Sequence, residues 1–122
     1  MRIVIPFALP GVNEIVDANR DGWHKGSGLK RHWQHRVELV LKRQARPLRE
    51  PVTIHWVWIE KDRRRDPDNV MGGGKKIILD AMVRVKLLRG DGWNNIRPPM
   101  TDEWKVDKKK PRVEIEITEA EE

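Results

Sequence analysis

The sequence predicts a small α/β domain in which two helices pack on a mixed sheet, in the order β-α-β-α-β-β. Short segments rich in β-branched residues alternate with two amphipathic segments, which is the pattern of an α/β fold. The chain has 122 residues, of which 38% are hydrophobic, enough for one modest core. We therefore expect residues 1–122 to form a single domain.

In the N-terminal half, Arg2–Phe7 is predicted as a strand because it is rich in β-branched residues and is followed by prolines. Leu9–Ser27 is predicted as a loop because Gly, Pro, Asn and Asp recur through it. A loop of this length in a small domain indicates ligand binding or disorder. Leu29–Ala45 has apolar residues at helical spacing, with Ser27 as a plausible N-cap and Pro47 as the stop.

In the C-terminal half, strands are predicted over Val52–Glu60, Met100–Val106 and Arg112–Thr118. Val52–Glu60 has apolar residues on both faces, which is typical of a central strand. A second helix is predicted over Gly74–Leu88. We place Gly72–Gly74 at or before its first turn, because glycine inside a helix costs roughly 1 kcal/mol relative to alanine. The tail Glu119–Glu122 is expected to be frayed.

The composition favours an anionic partner and excludes several kinds of site. The net charge is +6 and the isoelectric point about 9.9, which favours nucleic acid over a membrane surface because no basic amphipathic helix with a broad apolar face is evident. The absence of cysteine excludes disulfides and thiolate metal sites. We see no signal-peptide pattern and no apolar run of about 20 residues. We therefore expect a cytoplasmic protein without a membrane partner.

The most informative stretch is a run of three arginines that leads directly into Asp66 and Asp68. Pro67 biases Asp66 toward extended dihedral angles, and residues i and i+2 of an extended segment point to the same side. Two carboxylates side by side suit an all-oxygen cation such as Mg²⁺. A third carboxylate would come from Asp91, and Asp80 is a further candidate. We expect Asp66, Asp68 and Asp91 to converge on one cation.

A lysine is predicted beside this cation. Lys76 and Asp80 are four residues apart on the predicted helix and share a face. Lys76 lies roughly 150° from the apolar stripe, taking about 100° per residue. It could therefore hold a scissile phosphate or stabilise its developing charge, as the cationic side chains of metal-dependent nucleases do.

These residues together resemble the signature of the RusA-type Holliday-junction resolvases, a family of crossover junction endodeoxyribonucleases. The matching parts are Arg64–Asn69, Lys76, Asp80–Met82 and Asp91. The segments Gly72–Lys76 and Asp91–Trp93 are similar to members found in phages and prophages of bacteria. Weaker likeness extends to Pro10–Asn13 and Pro111–Glu119, so the resemblance covers most of the chain.

The resemblance implies a function and assigns roles. It implies that Asp66, Asp68 and Asp91 ligate Mg²⁺, with Mn²⁺ as a plausible substitute, and that Lys76 is the essential lysine near the scissile phosphate. It also implies a homodimer that nicks two symmetric strands of a four-way junction during DNA recombination and repair, without a small-molecule cofactor.

Two departures from the family pattern and two supporting residues complete this expectation. Gly90 stands where some relatives have a further aspartate, and the glycines lengthen the segment between Asn69 and Lys76. Asp80 and Asn69 are candidates to support the metal ligands.

Further contacts to DNA are predicted from charge and from exposed loops. The candidates for phosphate contacts are Asn13, Lys30, Arg31, Arg63, Arg64 and Lys75. Trp23 and Trp93 lie in predicted loops, where they would either stack on junction bases or, as we favour, pack locally. The alternative function is a non-catalytic DNA-binding regulator that keeps the same fold, because basic residues alone supply affinity for phosphates.

Overall fold

A computed structural model of the protein describes residues 1–43 and 46–121, without the side chains of residues 23–26. Within these residues the order is β-α-α-β-α-β-β: β1 Arg2–Ile5, α1 Val12–Arg20, α2 Trp23–Leu41, β2 Thr53–Glu60, α3 Pro67–Arg84, β3 Thr101–Val106 and β4 Arg112–Thr118. The α/β class and the four strands are confirmed. The expectation of two helices is wrong, since the described residues form three.

The sheet is mixed, as predicted, with the strand order β1-β4-β2-β3. β2 lies in its interior, antiparallel to β4 and parallel to β3. Parallel neighbours need a crossover connection, and α3 provides it here. The helix therefore begins just beyond the C-terminal end of β2, so Asp66 lies at that edge of the sheet.

The core lies between one face of the sheet and the helices. Trp56 of β2 is opposite Ile115 of β4, and Ile115 is opposite Ile3 of β1, so these side chains share a face and all three are fully buried. Ile77 and Met82 of α3 are also fully buried, and each such side chain contributes roughly 1.5–3 kcal/mol of hydrophobic stabilisation. No described helix is both long and apolar enough to cross a bilayer.

The segment Leu9–Ser27, predicted as a loop, contains α1 and the start of α2. Gly22, whose φ of 132° suits glycine, separates the two helices. None of the described residues of α1 is fully buried, but Ile15 is partly buried and packs against the core. A distant residue also fixes the helix, since the backbone N–H of Asn13 donates to Asn69 Oδ1 at 2.8 Å.

The first predicted helix, Leu29–Ala45, is longer at its start than expected. α2 begins at Trp23 and ends at Leu41. Residues 44 and 45, at the predicted end, lie outside the described residues.

The glycine triplet lies inside α3, which corrects its predicted position before the helix. α3 begins at Pro67, a favourable first residue because proline lacks the N–H that would be unpaired there. A β-carbon on Gly73 would collide with the carbonyl oxygen of Pro10, and one on Gly74 would lie 2.7 Å from the Trp58 ring. The close packing that these glycines permit offsets their cost within the helix.

Glu119 and Ala120 are anchored, contrary to the fraying expected for Glu119–Glu122, of which residue 122 lies outside the described residues. The Glu119 carboxylate accepts two hydrogen bonds from Arg46, at 2.6 and 2.7 Å, and one from the backbone N–H of Arg49. The Ala120 N–H donates to the Arg49 carbonyl at 2.9 Å. The hydrogen bond from Arg46 is the main reason that the pKa of Glu119 falls to about 2.

Candidate metal and phosphate-binding site

Asp66 and Asp68 lie at the start of α3 and are both exposed. Asp66 is the N-cap residue, with extended dihedral angles (φ −66°, ψ 149°), and among the described groups its carboxylate makes no capping hydrogen bond. Asp68 is already helical and accepts a hydrogen bond from the Asn69 N–H at 2.9 Å. The predicted extended geometry therefore holds for Asp66 but not for Asp68. The partial positive charge at the helix N-terminus favours both carboxylates.

Lys76 lies further along α3, between two other carboxylates. Its Nζ is 3.1 Å from Asp80 Oδ1 and 3.3 Å from Asp91 Oδ2, so Lys76 and Asp80 share a face as predicted. The second oxygen of Asp80 is 3.1 Å from Lys30 Nζ of α2. The hydrogen bonds to Asp80 and then to Asp91 raise the pKa of Lys76, so both carboxylates stabilise its charged form.

The two groups of carboxylates are separated along α3. Asp68 precedes Lys76 by eight positions, about 12 Å at a rise of 1.5 Å per residue, whereas Asp91 contacts Lys76 directly. Among the described side chains, no group of three or more Asp, Glu or His residues is placed to hold a metal ion. The structure thus brings Asp91 to Lys76 and Asp80, and the expected convergence with Asp66 and Asp68 is not found within one chain.

Asn69, a predicted supporting residue of the metal site, has a structural contact. Its side-chain oxygen caps α1 through the Asn13 N–H. A β-carbon on Gly11 would lie 2.7 Å from that same oxygen, so the amide is packed closely on the start of α1. The side chain of Asn13 stays exposed, and its predicted contact to DNA remains a prediction.

Lys75, a predicted phosphate contact, faces the sheet instead of solvent. Its Nζ is 3.0 Å from Asp102 Oδ2, and the two side chains are only 17% and 15% exposed. Trp58 Nε1 donates to the other oxygen of Asp102 at 2.8 Å. The ammonium of Lys75 is therefore not presented to a DNA backbone, contrary to prediction.

The remaining predicted phosphate contacts lie on the surface. Arg31, Arg63 and Arg64 are exposed, and Lys30 is half-exposed at the edge of a cleft of about 210 Å³ that Lys76, Gly72 and Gly73 also line. Residues of α1, α2 and α3 line the cleft, and Val12, Ile15 and Ile77 complete its lining, so two ammonium groups border a largely apolar groove.

Arg65 is an organising residue that the sequence reasoning missed. Its guanidinium donates to Glu60 Oε1 at 2.6 and 2.8 Å, to the Leu9 carbonyl at 3.0 Å and to Glu14 Oε1 at 2.8 Å. These bonds tie the end of β2 to the start of α1. In the sequence Arg65 looks the same as the exposed arginines before it. Only its partners in the folded chain reveal its structural role.

The arrangement offers exposed carboxylates for a cation and an exposed ammonium group for an anion, within one helix of a basic chain. The indole of Trp93 is 91% exposed, so the favoured local packing is wrong, and the side chain of Trp23 lies outside the described residues.

No protein-family model and no curated protein matches the chain. The function is therefore inferred from the chemistry of these side chains.

Proposed function

We propose that the protein is a Mg²⁺-dependent, structure-selective DNA endonuclease that nicks four-way junctions as a homodimer, in DNA recombination and repair. The observation that carries the proposal is the exposed Lys76 ammonium between Asp80 and Asp91, on the same helix that begins with Asp66 and Asp68. The net charge of +6 and the resemblance to RusA-type resolvases support a DNA substrate.

The residues at the start of α3 fit Mg²⁺. This ion prefers oxygen ligands and is usually held by one or two carboxylates, with waters and substrate phosphate oxygens completing its shell. Asp66 and Asp68 are exposed oxygen donors at one helix terminus. When bound, the ion would activate a water molecule and neutralise charge on the phosphate.

A homodimer would explain why Asp91 lies away from the other two aspartates. Within one chain Asp91 is held at Lys76, about 12 Å along α3 from Asp68. In a two-fold symmetric dimer, the Asp91 carboxylate of each chain would complete the site that begins with Asp66 and Asp68 of the other chain. Such a dimer has two equivalent sites, as two symmetric nicks require.

Lys76 would bind the scissile phosphate and stabilise the negative charge that develops on it. Asp80 would act as a positioning residue, because its two oxygens hold Lys76 and Lys30 at 3.1 Å each.

Cleavage of a four-way junction, a fork and plain duplex, side by side with and without Mg²⁺, tests the proposal. Asp68→Asn and Asp91→Asn should each abolish nicking and leave junction binding nearly unchanged, because both carboxylates would hold the Mg²⁺ that the chemical step needs. Undiminished cleavage by either variant would contradict the assignment.

Mixed dimers test the shared site directly. A dimer of one Asp68→Asn chain and one Asp91→Asn chain would have one site with both substitutions and one with neither. If Asp91 acts across the dimer, mixing the two inactive variants restores nicking of one strand per junction. If each chain holds its own complete site, the mixture stays inactive.

The alternative is a non-catalytic DNA-binding regulator, and the separation of the carboxylates within one chain favours it. Such a protein would bind junctions with an affinity that falls steeply with salt, because phosphate contacts release counterions. It would not nick any of the three substrates at any Mg²⁺ concentration, which distinguishes it from the nuclease.

A further inference from the structure

Trp93 is the most exposed large hydrophobic residue in the described part of the chain. Its 91% exposure compares with 51% for Leu39, 50% for Val106 and 41% for Trp104. Tryptophan is a large hydrophobic side chain that normally gains from burial. An indole kept almost wholly in water calls for an explanation from what surrounds it.

The loop that carries Trp93 is tightly bonded, so the indole is presented by a fixed backbone. The Gly92 carbonyl accepts the N–H groups of Asn95 and Ile96, each at 3.0 Å. Asn95 Oδ1 accepts the Gly92 N–H at 3.2 Å, and Asn95 Nδ2 donates to Glu50 Oε1 at 2.6 Å. Because the backbone is fixed, only the side-chain torsions of Trp93 lose freedom when it binds a partner.

An apolar depression lies beside the indole. Its volume is about 330 Å³, and it is lined by Leu79, Ile96, Pro98 and Met100 together with Asp91, Gly92 and Trp93. An open depression lined by apolar side chains and an indole suits a flat ring whose faces are apolar and whose edge is polar.

Exposed cations near the depression favour a ring that belongs to a polyanion. Arg89 precedes the loop and Arg97 follows it, and both are exposed; the Asp91 carboxylate, which lines the depression, is paired with Lys76 at 3.3 Å. Trp93 is two residues from Asp91, so their Cα atoms are at most about 7 Å apart. A nucleotide next to a phosphate bound near Asp91 would therefore be within reach of the indole.

The geometry points to a base-binding slot: Trp93 and the adjacent depression take one unstacked nucleobase of branched DNA. This inference rests on the proposed function for its substrate, and it adds the feature of that substrate which the protein reads. Bases at a branch point are easier to unstack than those in continuous duplex, and stacking on an aromatic ring tolerates any base. The slot therefore provides a preference for branched structure without a preference for sequence.

Fluorescence of 2-aminopurine placed opposite the branch-point base tests the slot. This base analogue brightens when its pairing partner leaves the helix, and in this position it does not itself enter the slot, where the indole would quench it. Binding is measured with Ca²⁺ in place of Mg²⁺ and with the strands checked to be intact. We expect the signal to rise several-fold with the wild-type protein and with Trp93→Phe. It should be lost with Trp93→Ala and Trp93→Leu, because leucine restores apolar bulk without an aromatic face. Junction affinity should fall roughly tenfold in the last two variants.

Leu39→Ala is the matched control and should behave as wild type. It also removes an exposed apolar side chain, but one in α2, away from the loop of Trp93. An unchanged signal with Trp93→Ala, equal signals with Trp93→Leu and Trp93→Phe, or no signal with wild type would each overturn the slot. So would conversion of the dimer to a monomer by Trp93→Ala in sedimentation velocity, which would assign the indole to a contact between chains. Nicking is scored separately: signal without nicking refutes only the nuclease, and nicking unaffected by Trp93→Ala refutes only the slot.

Discussion

Lys75 and Lys76 are adjacent on α3, yet their surroundings are opposite. Lys75 is 17% exposed and paired with an Asp102 that is 15% exposed, whereas Lys76 is 59% exposed between Asp80 and Asp91. A turn of about 100° between consecutive helical residues directs one ammonium to β3 and the other to solvent. The comparison separates a lysine that stabilises the fold from a lysine that is available to a substrate, although their charge and sequence environment are nearly the same.

The largest effect is expected when the solvent-facing lysine, Lys76, loses its charge. Lys76→Met should lower the single-turnover nicking rate by about 10²–10³-fold, because the developing charge loses its cationic partner. The melting temperature should change little, since the side chain is largely exposed. Full activity in this variant would remove Lys76 from the proposed reaction.

The reciprocal substitution removes the charge of Lys75, the lysine that faces the sheet. Lys75→Met should lower the free energy of unfolding by about 2 kcal/mol, because Asp102 is left without its cation in a mostly buried position. Nicking per folded molecule should stay at the wild-type rate. Urea denaturation at pH 7 measures the first quantity, and Asp102→Asn in the same chain should recover part of the loss. A Lys75→Met protein of normal stability but poor DNA binding would invert the assignment.

A third substitution sharpens the comparison by asking how Lys76 is held. Asp80→Asn removes the charge that positions both Lys76 and Lys30, so we expect kcat to fall about tenfold with KM nearly unchanged. The stability loss should be below about 1 kcal/mol, as for partly exposed ion pairs. Arg84→Gln is the matched control, because the Arg84–Glu38 pair also joins α3 to α2, at 3.6 Å. Equal effects of the two substitutions on kcat would leave Asp80 with a purely structural role.

The smallest effect is expected at the Arg46–Glu119 ion pair, whose contribution to stability should depend on pH. The Arg46 guanidinium beside Glu119 lowers the pKa of that carboxyl to about 2. Because the folded-state pKa is depressed, the stabilisation is fully present above the ordinary value of 4.5 and is lost as the pH falls toward 2. Wild type should melt slightly higher than Glu119→Gln at neutral pH, and the two melting curves should converge between pH 4.5 and 2. A difference that persists at pH 2 would contradict this origin.

The strands could be predicted from the sequence because each carries its own pattern of β-branched residues. The helix α1 did carry local signals that the loop prediction overlooked, since Val12, Ile15 and Val16 have helical spacing and Glu14 accepts the Gly11 N–H at 3.4 Å; the cap from Asn69, 56 positions away along the chain, could not be predicted. The glycines of α3 were misplaced because of contacts that are likewise distant in sequence. Their cost is local and readable, whereas the contacts with Pro10 and Trp58 that offset it appear only in the folded chain.

The chemistry was predictable by residue type and only partly by position. The helical spacing correctly placed Lys76 beside Asp80, since both lie on one element. The relation of Asp91 to Asp66 and Asp68 depends on the path of a loop, and proximity along α3 does not determine it. Lys75 shows the same limit, because its partner Asp102 belongs to a strand 27 residues further on.

The glycine contacts of α3 also set a mechanical property. At Gly73 the helix rests on the main chain of Pro10 and Gly11, and main-chain atoms cannot adapt by changing rotamer. A side chain at such a contact could move aside, but two main chains in contact keep a fixed separation. The whole of α3, with its acidic start and its lysine, is thereby held at a fixed position against the start of α1.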